Sequence, residues 1–190
     1  NLAIAHNGNL TNAKLLREEL VNDGAIFQTT SDTEVILHLI ARSKLENQID
    51  QIKEALQKVQ GAYSIVILTN DKLIGARDPN GFRPLCIGKL NGSFIITSET
   101  CALDINSATL IRDVEPGELI IIDKEAHQVG EFNSQYIFNN RVQPKHCIFE
   151  YIYFSRPDSR VFGSNVDKMR RKLGKVLAQK HPVIGNDGDK

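Results

Sequence analysis

Neither sign of charge dominates this chain of 190 residues: Lys and Arg number 23, and so do Asp and Glu. That balance removes the electrostatic footprint of a nucleic-acid binder or of a protein held on an anionic membrane surface. Long apolar stretches are also missing, and none approaches the ~20 residues that cross a bilayer. Cysteine is scarce. Cys86, Cys101 and Cys147 are odd in number and widely spaced, with no C-x-x-C, which speaks against a disulfide framework or a zinc site. Free thiols fit a reducing compartment, so a cytoplasmic protein is expected. The chain begins at Asn1 with neither an initiator Met nor a signal-peptide pattern, and a preceding segment is therefore expected.

What is present is ordinary globular material, 41% hydrophobic and 24% charged, enough for one sizeable domain with an attached piece of another. The opening organises the rest. Leu2-Ala3-Ile4-Ala5 predicts a buried strand that stops at Asn7-Gly8, and Thr11 is the expected N-cap of a helix over residues 12–22. A strand end, an Asn carboxamide, a Gly N–H and a helix start would then meet at one point, which suits donors aimed at a developing oxyanion. A plain Asn-Gly turn satisfies the same residues. His6, beside Asn7, is expected on the opposite face of the strand in a structural role. His38, His127, His146 and His181 show no metal-ligand spacing.

Further along, 27–29 reads as a short strand. Ser31 and Glu34 read as a capping box for the next helix, with Asp32 in its first turn. A helix over 49–58 follows. From Gly61 the period changes to β: runs at 62–68 and 73–76 form a hairpin, and runs at 85–88 and 93–97 form another across Asn91-Gly92. A short helix over 98–105 precedes runs at 109–111, 118–122 and 127–129, with a turn at Pro116-Gly117. The block from Arg77 to Leu85 predicts a rigid loop with an Arg–Asp ion pair. Residues 147–154 read as an aromatic strand holding Phe149, Tyr151, Tyr153 and Phe154, a third of the eight Phe and four Tyr of the chain. An amphipathic helix from about Val166 and a frayed polar tail over 184–190 complete it. Hairpins after helices suggest two antiparallel sheets packed face to face beneath helices.

Four blocks carry a family resemblance. Ala5-His6-Asn7-Gly8-Asn9-Leu10-Thr11-Asn12, then Thr29-Thr30-Ser31-Asp32-Thr33-Glu34, resemble glutamine amidotransferases that use an N-terminal nucleophile. Adding Arg77-Asp78-Pro79-Asn80-Gly81-Phe82-Arg83-Pro84-Leu85 and Phe149-Glu150-Tyr151-Ile152-Tyr153-Phe154-Ser155-Arg156-Pro157-Asp158-Ser159, the chain resembles the glutaminase domain of the amidophosphoribosyltransferase family up to about residue 182. The resemblance implies an α+β, four-layer αββα N-terminal nucleophile hydrolase fold, incomplete at its N-terminus. Residues 1–150 would form the glutaminase domain. Residues 151–190 would be a connecting segment and helix leading toward an absent phosphoribosyltransferase domain.

The same resemblance implies a chemistry. Asn7 and Gly8 would hold the oxyanion formed on the glutamine amide, and Asp32 would receive the α-ammonium group. The loop from Arg77 to Leu85 would support the pocket from behind. The nucleophilic cysteine, its α-amine base and the arginine for the glutamine carboxylate would lie upstream of Asn1, so the chain alone is expected to be inactive. The parent would pass ammonia to phosphoribosyl pyrophosphate, giving 5-phosphoribosylamine at the start of purine synthesis. It would bind Mg2+ in its other domain and assemble as a homo-oligomer, a tetramer by resemblance. Cys147 matches a position where some members carry an iron–sulfur ligand, and a four-thiolate cluster would need three cysteines from outside this chain. Cys86 and Cys101 read as buried structural thiols. Two alternatives remain at this point: an inactive glutamine- or partner-binding module of the same fold, and a glutaminase with a different ammonia acceptor.

Overall fold

The computed structural model describes residues 1–140 and 142–183, so the tail over 184–190 lies outside the described residues. Two antiparallel sheets carry the fold. The larger runs in the order β1 (Leu2–Leu10), β2 (Gly61–Thr69), β3 (Leu73–Arg77), β7 (Glu118–Ile122), β8 (Asn133–Tyr136). The smaller places β4 (Cys86–Leu90) between β5 (Ser93–Thr97) and β6 (Thr109–Asp113). The chain changes sheets at Pro116-Gly117, so β6 pairs with β4 and β7 pairs with β3 rather than with each other.

Helices α1 (Ala13–Asn22), α2 (Thr33–Arg42) and α3 (Gln48–Lys58) cover the outer face of the larger sheet. Val35, Ile36, Ile52 and Leu56 pack there on Tyr63, Ile65 and Ile67, all fully buried. Between the sheets, Leu85 and Ile87 meet Ile120 and Ile122. The sheets approach closely at Gly75, where an added Cβ would lie 3.0 Å from the Ile96 side chain. On the far side, α4 (Thr100–Ile105) sets Leu103 against Gly88. Helices, sheet, sheet, helix: this is the four-layer arrangement the resemblance implied.

Several local expectations fail, each for a physical reason. β1 does not stop at Asn7-Gly8 but keeps register with β2 to Leu10↔Gly61. Gly8, at φ +150°, leaves only 2.0 Å between a would-be Cβ and the Ala62 carbonyl oxygen, so the residue read as a turn former permits close strand approach instead. Thr11 caps nothing: its hydroxyl donates to the Gln60 carbonyl at 3.2 Å, and α1 starts after Asn12. Residues 27–29 are not a strand, because the Gln28 and Thr29 N–H groups donate to the Glu34 carboxylate at 2.7 and 2.8 Å. Those bonds also occupy the carboxylate that the capping box required.

Residues 127–129 belong to α5 (Lys124–Val129), capped by Asp123 accepting from the Ala126 N–H at 2.8 Å, and the strand comes after it as β8. The aromatic run is not a strand either. Residues 150–154 wind into a π-helix (Glu150–Phe154), closed by Ser155 N–H donating to the Glu150 carbonyl at 3.2 Å. A short hairpin, β9 (Arg160–Val161) and β10 (Ser164–Asn165), then leads into α6 (Val166–Lys180). Arg170 of α6 donates to the carbonyls of Tyr151 and Ser155, each at 2.7 Å, and fixes the π-helix against the helix that follows it.

Candidate active site

β1 is an edge strand, and its polar end forms the floor of a cleft of about 800 Å³. Asn7, Gly8, Asn9 and Thr11 line it together with Gly61 and Ala62 of β2. Phe82 and Arg83 make one wall and Glu99 another, while Cys147, Tyr153 and Phe154 bring the π-helix region over it. Asn7 and Gly8 are thus brought together in one cleft. The Asn7 carboxamide donates to the Ser98 hydroxyl at 3.3 Å, linking the floor to the β5–α4 junction.

The register settles where the backbone donors of β1 point. Thr11 N–H donates to the Gln60 carbonyl at 2.8 Å, toward β2. N–H groups alternate sides along a strand, so Leu10 and Gly8 direct theirs away from β2, to the open edge. At Leu10 that donor is taken by Asp32, whose Oδ2 accepts it at 2.8 Å. Asp32 does not line the cleft; it sits at the start of α2 beside the end of β1. The Gly8 N–H and the group holding Asp32 are two residues apart, about 7 Å along one edge.

His6 points to the opposite side from Asn7, as expected. Its side chain is 2% exposed, with Nδ1 at 3.0 Å from the Thr33 hydroxyl and 3.6 Å from Asp32 Oδ1. The Arg–Asp ion pair expected in this loop does not form among the described residues. Buried Arg77 donates to the carbonyls of Val114 (2.6 Å), Arg83 (2.7 Å) and Gly81 (2.9 Å). Asp78 accepts backbone N–H groups from Asn80 (2.9 Å), Phe82 (3.2 Å), Tyr63 and Arg83 (3.4 Å each). A buried loop must satisfy its own peptide groups, and these two side chains do so in place of pairing. Burial pushes the Asp78 carboxyl up from its ordinary value and the Arg77 guanidinium down.

The loop does more than support the site from behind, since Phe82 and Arg83 are cleft walls. Arg83 also pairs with Glu150 at 2.5 Å, and burial raises the Glu150 carboxyl against the pull of the Ser155 hydroxyl and Arg83. Glu99 was legible only as part of a helix start. Its Oε2 accepts from the Arg156 N–H and the Ser159 hydroxyl, both at 2.8 Å, and so ties the segment after the π-helix to the cleft. Cys86 and Cys101 are buried, and burial pushes the Cys86 thiol up to about 12. Cys147 is half-buried in the cleft wall. Among the described residues no three His, Cys, Asp or Glu side chains gather as a metal site, so the residues present do not by themselves fit an iron–sulfur cluster.

Comparison with known proteins agrees with the geometry. Residues 1–104 match the glutamine amidotransferase domain family. The chain is 50% identical over 182 residues to the amidophosphoribosyltransferase of Bacillus subtilis, covering 96% of this chain and 37% of that protein. It is 50% identical over 183 residues to the chloroplastic amidophosphoribosyltransferase 1 of Arabidopsis thaliana, covering 96% of this chain and 31% of that one. It therefore spans about a third of the length of these relatives. The solved glutamine phosphoribosylpyrophosphate amidotransferase of B. subtilis, complexed with ADP and GMP, superposes with a TM-score of 0.90 at 49% identity over 96% of this chain and 39% of that one. A class-II glutamine aminotransferase domain protein from Silicibacter pomeroyi, at 13% identity and a TM-score of 0.52, shares the fold. With the family match over more than half its length and the fold to go with it, the chain belongs to the glutamine amidotransferase domain family.

Proposed function

We propose that this chain forms the glutamine-receiving side of an amidotransferase site. In this reading the Asn7 carboxamide and the Gly8 N–H stabilise the oxyanion that forms when a thiolate adds to the glutamine side-chain amide. Asp32 holds the α-ammonium group, and ammonia leaves as the tetrahedral intermediate collapses. One observation carries the reading. Gly8 N–H and the Asp32 carboxylate share the open edge of β1, about 7 Å apart, comparable to the reach from ammonium nitrogen to amide oxygen in an extended glutamine.

The thiolate comes from outside residues 1–190. Cys86 and Cys101 are buried and do not line the cleft, and Cys147 has no hydrogen-bonded base among the described residues. The parent protein passes the ammonia to phosphoribosyl pyrophosphate, with Mg2+ in a further domain and a homo-oligomeric assembly. Support for that acceptor is the name shared by relatives 50% identical to this chain. The test is a 1H–15N NMR titration of the chain with glutamine, alongside an assay of glutamate release. Shifts clustered at Gly8, Leu10 and Thr33 without glutamate release are expected. Saturating glutamine that leaves these amides unmoved, or turnover by the isolated chain, would overturn it.

A further inference from the structure

Behind Asp32 lies a chain of polar contacts that the resemblance does not describe. His6 Nδ1 is 3.0 Å from the Thr33 hydroxyl oxygen, and that hydroxyl donates to Asp32 Oδ1 at 3.3 Å. Asp32 Oδ2 accepts the Leu10 N–H at 2.8 Å, so both carboxylate oxygens are held. The far ring nitrogen, His6 Nε2, is buried with no hydrogen-bond partner among the described residues and lies 2.9 Å from where a Cβ on Gly8 would stand.

These contacts favour one imidazole tautomer. With the single Thr33 hydroxyl proton directed to Asp32, its oxygen is left to accept from His6. A bare Nδ1 lone pair facing a carboxylate oxygen at 3.6 Å would be repelled, whereas an N–H there is attracted. The partnerless Nε2 argues the same way, because a buried orphan acceptor is tolerated more often than a buried orphan N–H.

We propose that His6 and Thr33 are positioning residues: His6 Nδ1–H donates to Thr33, Thr33 donates to Asp32, and this relay aims the Asp32 carboxylate along the edge of β1. The inference rests on the reading that Asp32 receives the glutamine ammonium. Thr33 is the adjustable link, since its hydroxyl meets both partners while its methyl adds only bulk. The Nε2 side packs close to Gly8.

The experiment has two arms, both on the intact chain. The first is the ring 15N spectrum of selectively labelled wild type. It should show a protonated Nδ1 and an unprotonated Nε2 for His6, and the reverse pattern would overturn the relay without any substitution. The second is glutamine affinity by calorimetry for wild type, Thr33→Val and Thr33→Ser, with melting temperatures taken in parallel. Thr33→Val should weaken binding roughly tenfold, as loss of a polar group behind a ligand-holding side chain commonly does, and Thr33→Ser should restore most of it. Equal affinity in Thr33→Val, or equal loss in Thr33→Ser, overturns the relay while the glutamine reading stands. Wild type that binds no glutamine removes the reading itself.

Discussion

Arg83 and Glu150 form a 2.5 Å ion pair joining the loop at one wall of the cleft to the π-helix above it. The Glu150 side chain is 1% exposed, and Arg83 also lies 5.0 Å over the Phe154 ring. The floor of the cleft is a strand edge, but its upper wall is held by this pair, by Glu99 and by Arg170. That division sets what each substitution should do.

Glu150→Ala leaves the Arg83 guanidinium largely buried without its anion. Loss of one partner of a buried pair typically costs about 3–5 kcal/mol. Chemical denaturation should register a loss of that order, with hydrogen exchange rising first over residues 147–160 and leaving β2 and β3 protected.

Gly8→Ala tests the close strand approach. The backbone there is at φ +150°, and the Ala62 carbonyl oxygen stands 2.0 Å from the new Cβ. Strain and overpacking together should remove about 2–5 kcal/mol. Gly24→Ala, where nothing lies within 4 Å, carries backbone strain at φ +85° without the clash and should cost less. Melting curves of the two variants compare the effects directly.

Why the sequence revealed some of this and hid the rest follows from the range of the interactions involved. The periodic elements were legible because period and turn chemistry are local: the helix expected over 49–58 is Gln48–Lys58, and the strands around 62–68 and 93–97 lie where expected. The failures come from contacts that period and turn chemistry do not encode. Glu34 looked like a cap residue because nothing local shows that residues 28 and 29 fold back onto it. The run 147–154 looked like a strand because alternating aromatics suit one, yet Glu150 is buried against Arg83, 67 positions earlier in the chain. Asn7, Gly8 and Asp32 were picked out by resemblance, whereas the parts of Arg83 and Glu99 in the cleft depend on loops meeting across the sheets.

Glu34 should shape the acid limb of stability. Its carboxyl is lowered from 4.5 to about 2, first by the Gln28 N–H and then by the Thr29 hydroxyl. A depressed carboxylate stabilises the fold above its unfolded value, and the contribution is lost as pH falls through the window from about 4.5 to 2. Stability measured against pH should therefore fall less steeply there in Glu34→Gln than in wild type.

Thiol reactivity should follow burial. With its thiol near 12, Cys86 stays protonated at pH 8 and should resist iodoacetamide in the native chain. Cys147, half-buried in the cleft wall, should alkylate first. Peptide mass spectrometry over a labelling time course gives the order.

Asp32→Asn keeps an oxygen able to accept the Leu10 N–H but removes the negative charge. Glutamine affinity should fall at least about tenfold, as expected when a charged partner is lost, while the melting temperature changes little. Calorimetry and a thermal melt on the same sample separate the two effects.

The most direct measurement is a crystal structure of the chain with glutamine diffused in. The ligand should lie along the outer edge of β1, its ammonium on the Asp32 carboxylate and its amide oxygen within hydrogen-bond distance of the Gly8 N–H and the Asn7 side chain. Glutamine seated elsewhere in the cleft, or lying in the opposite direction with its carboxylate at Gly8, would contradict the account.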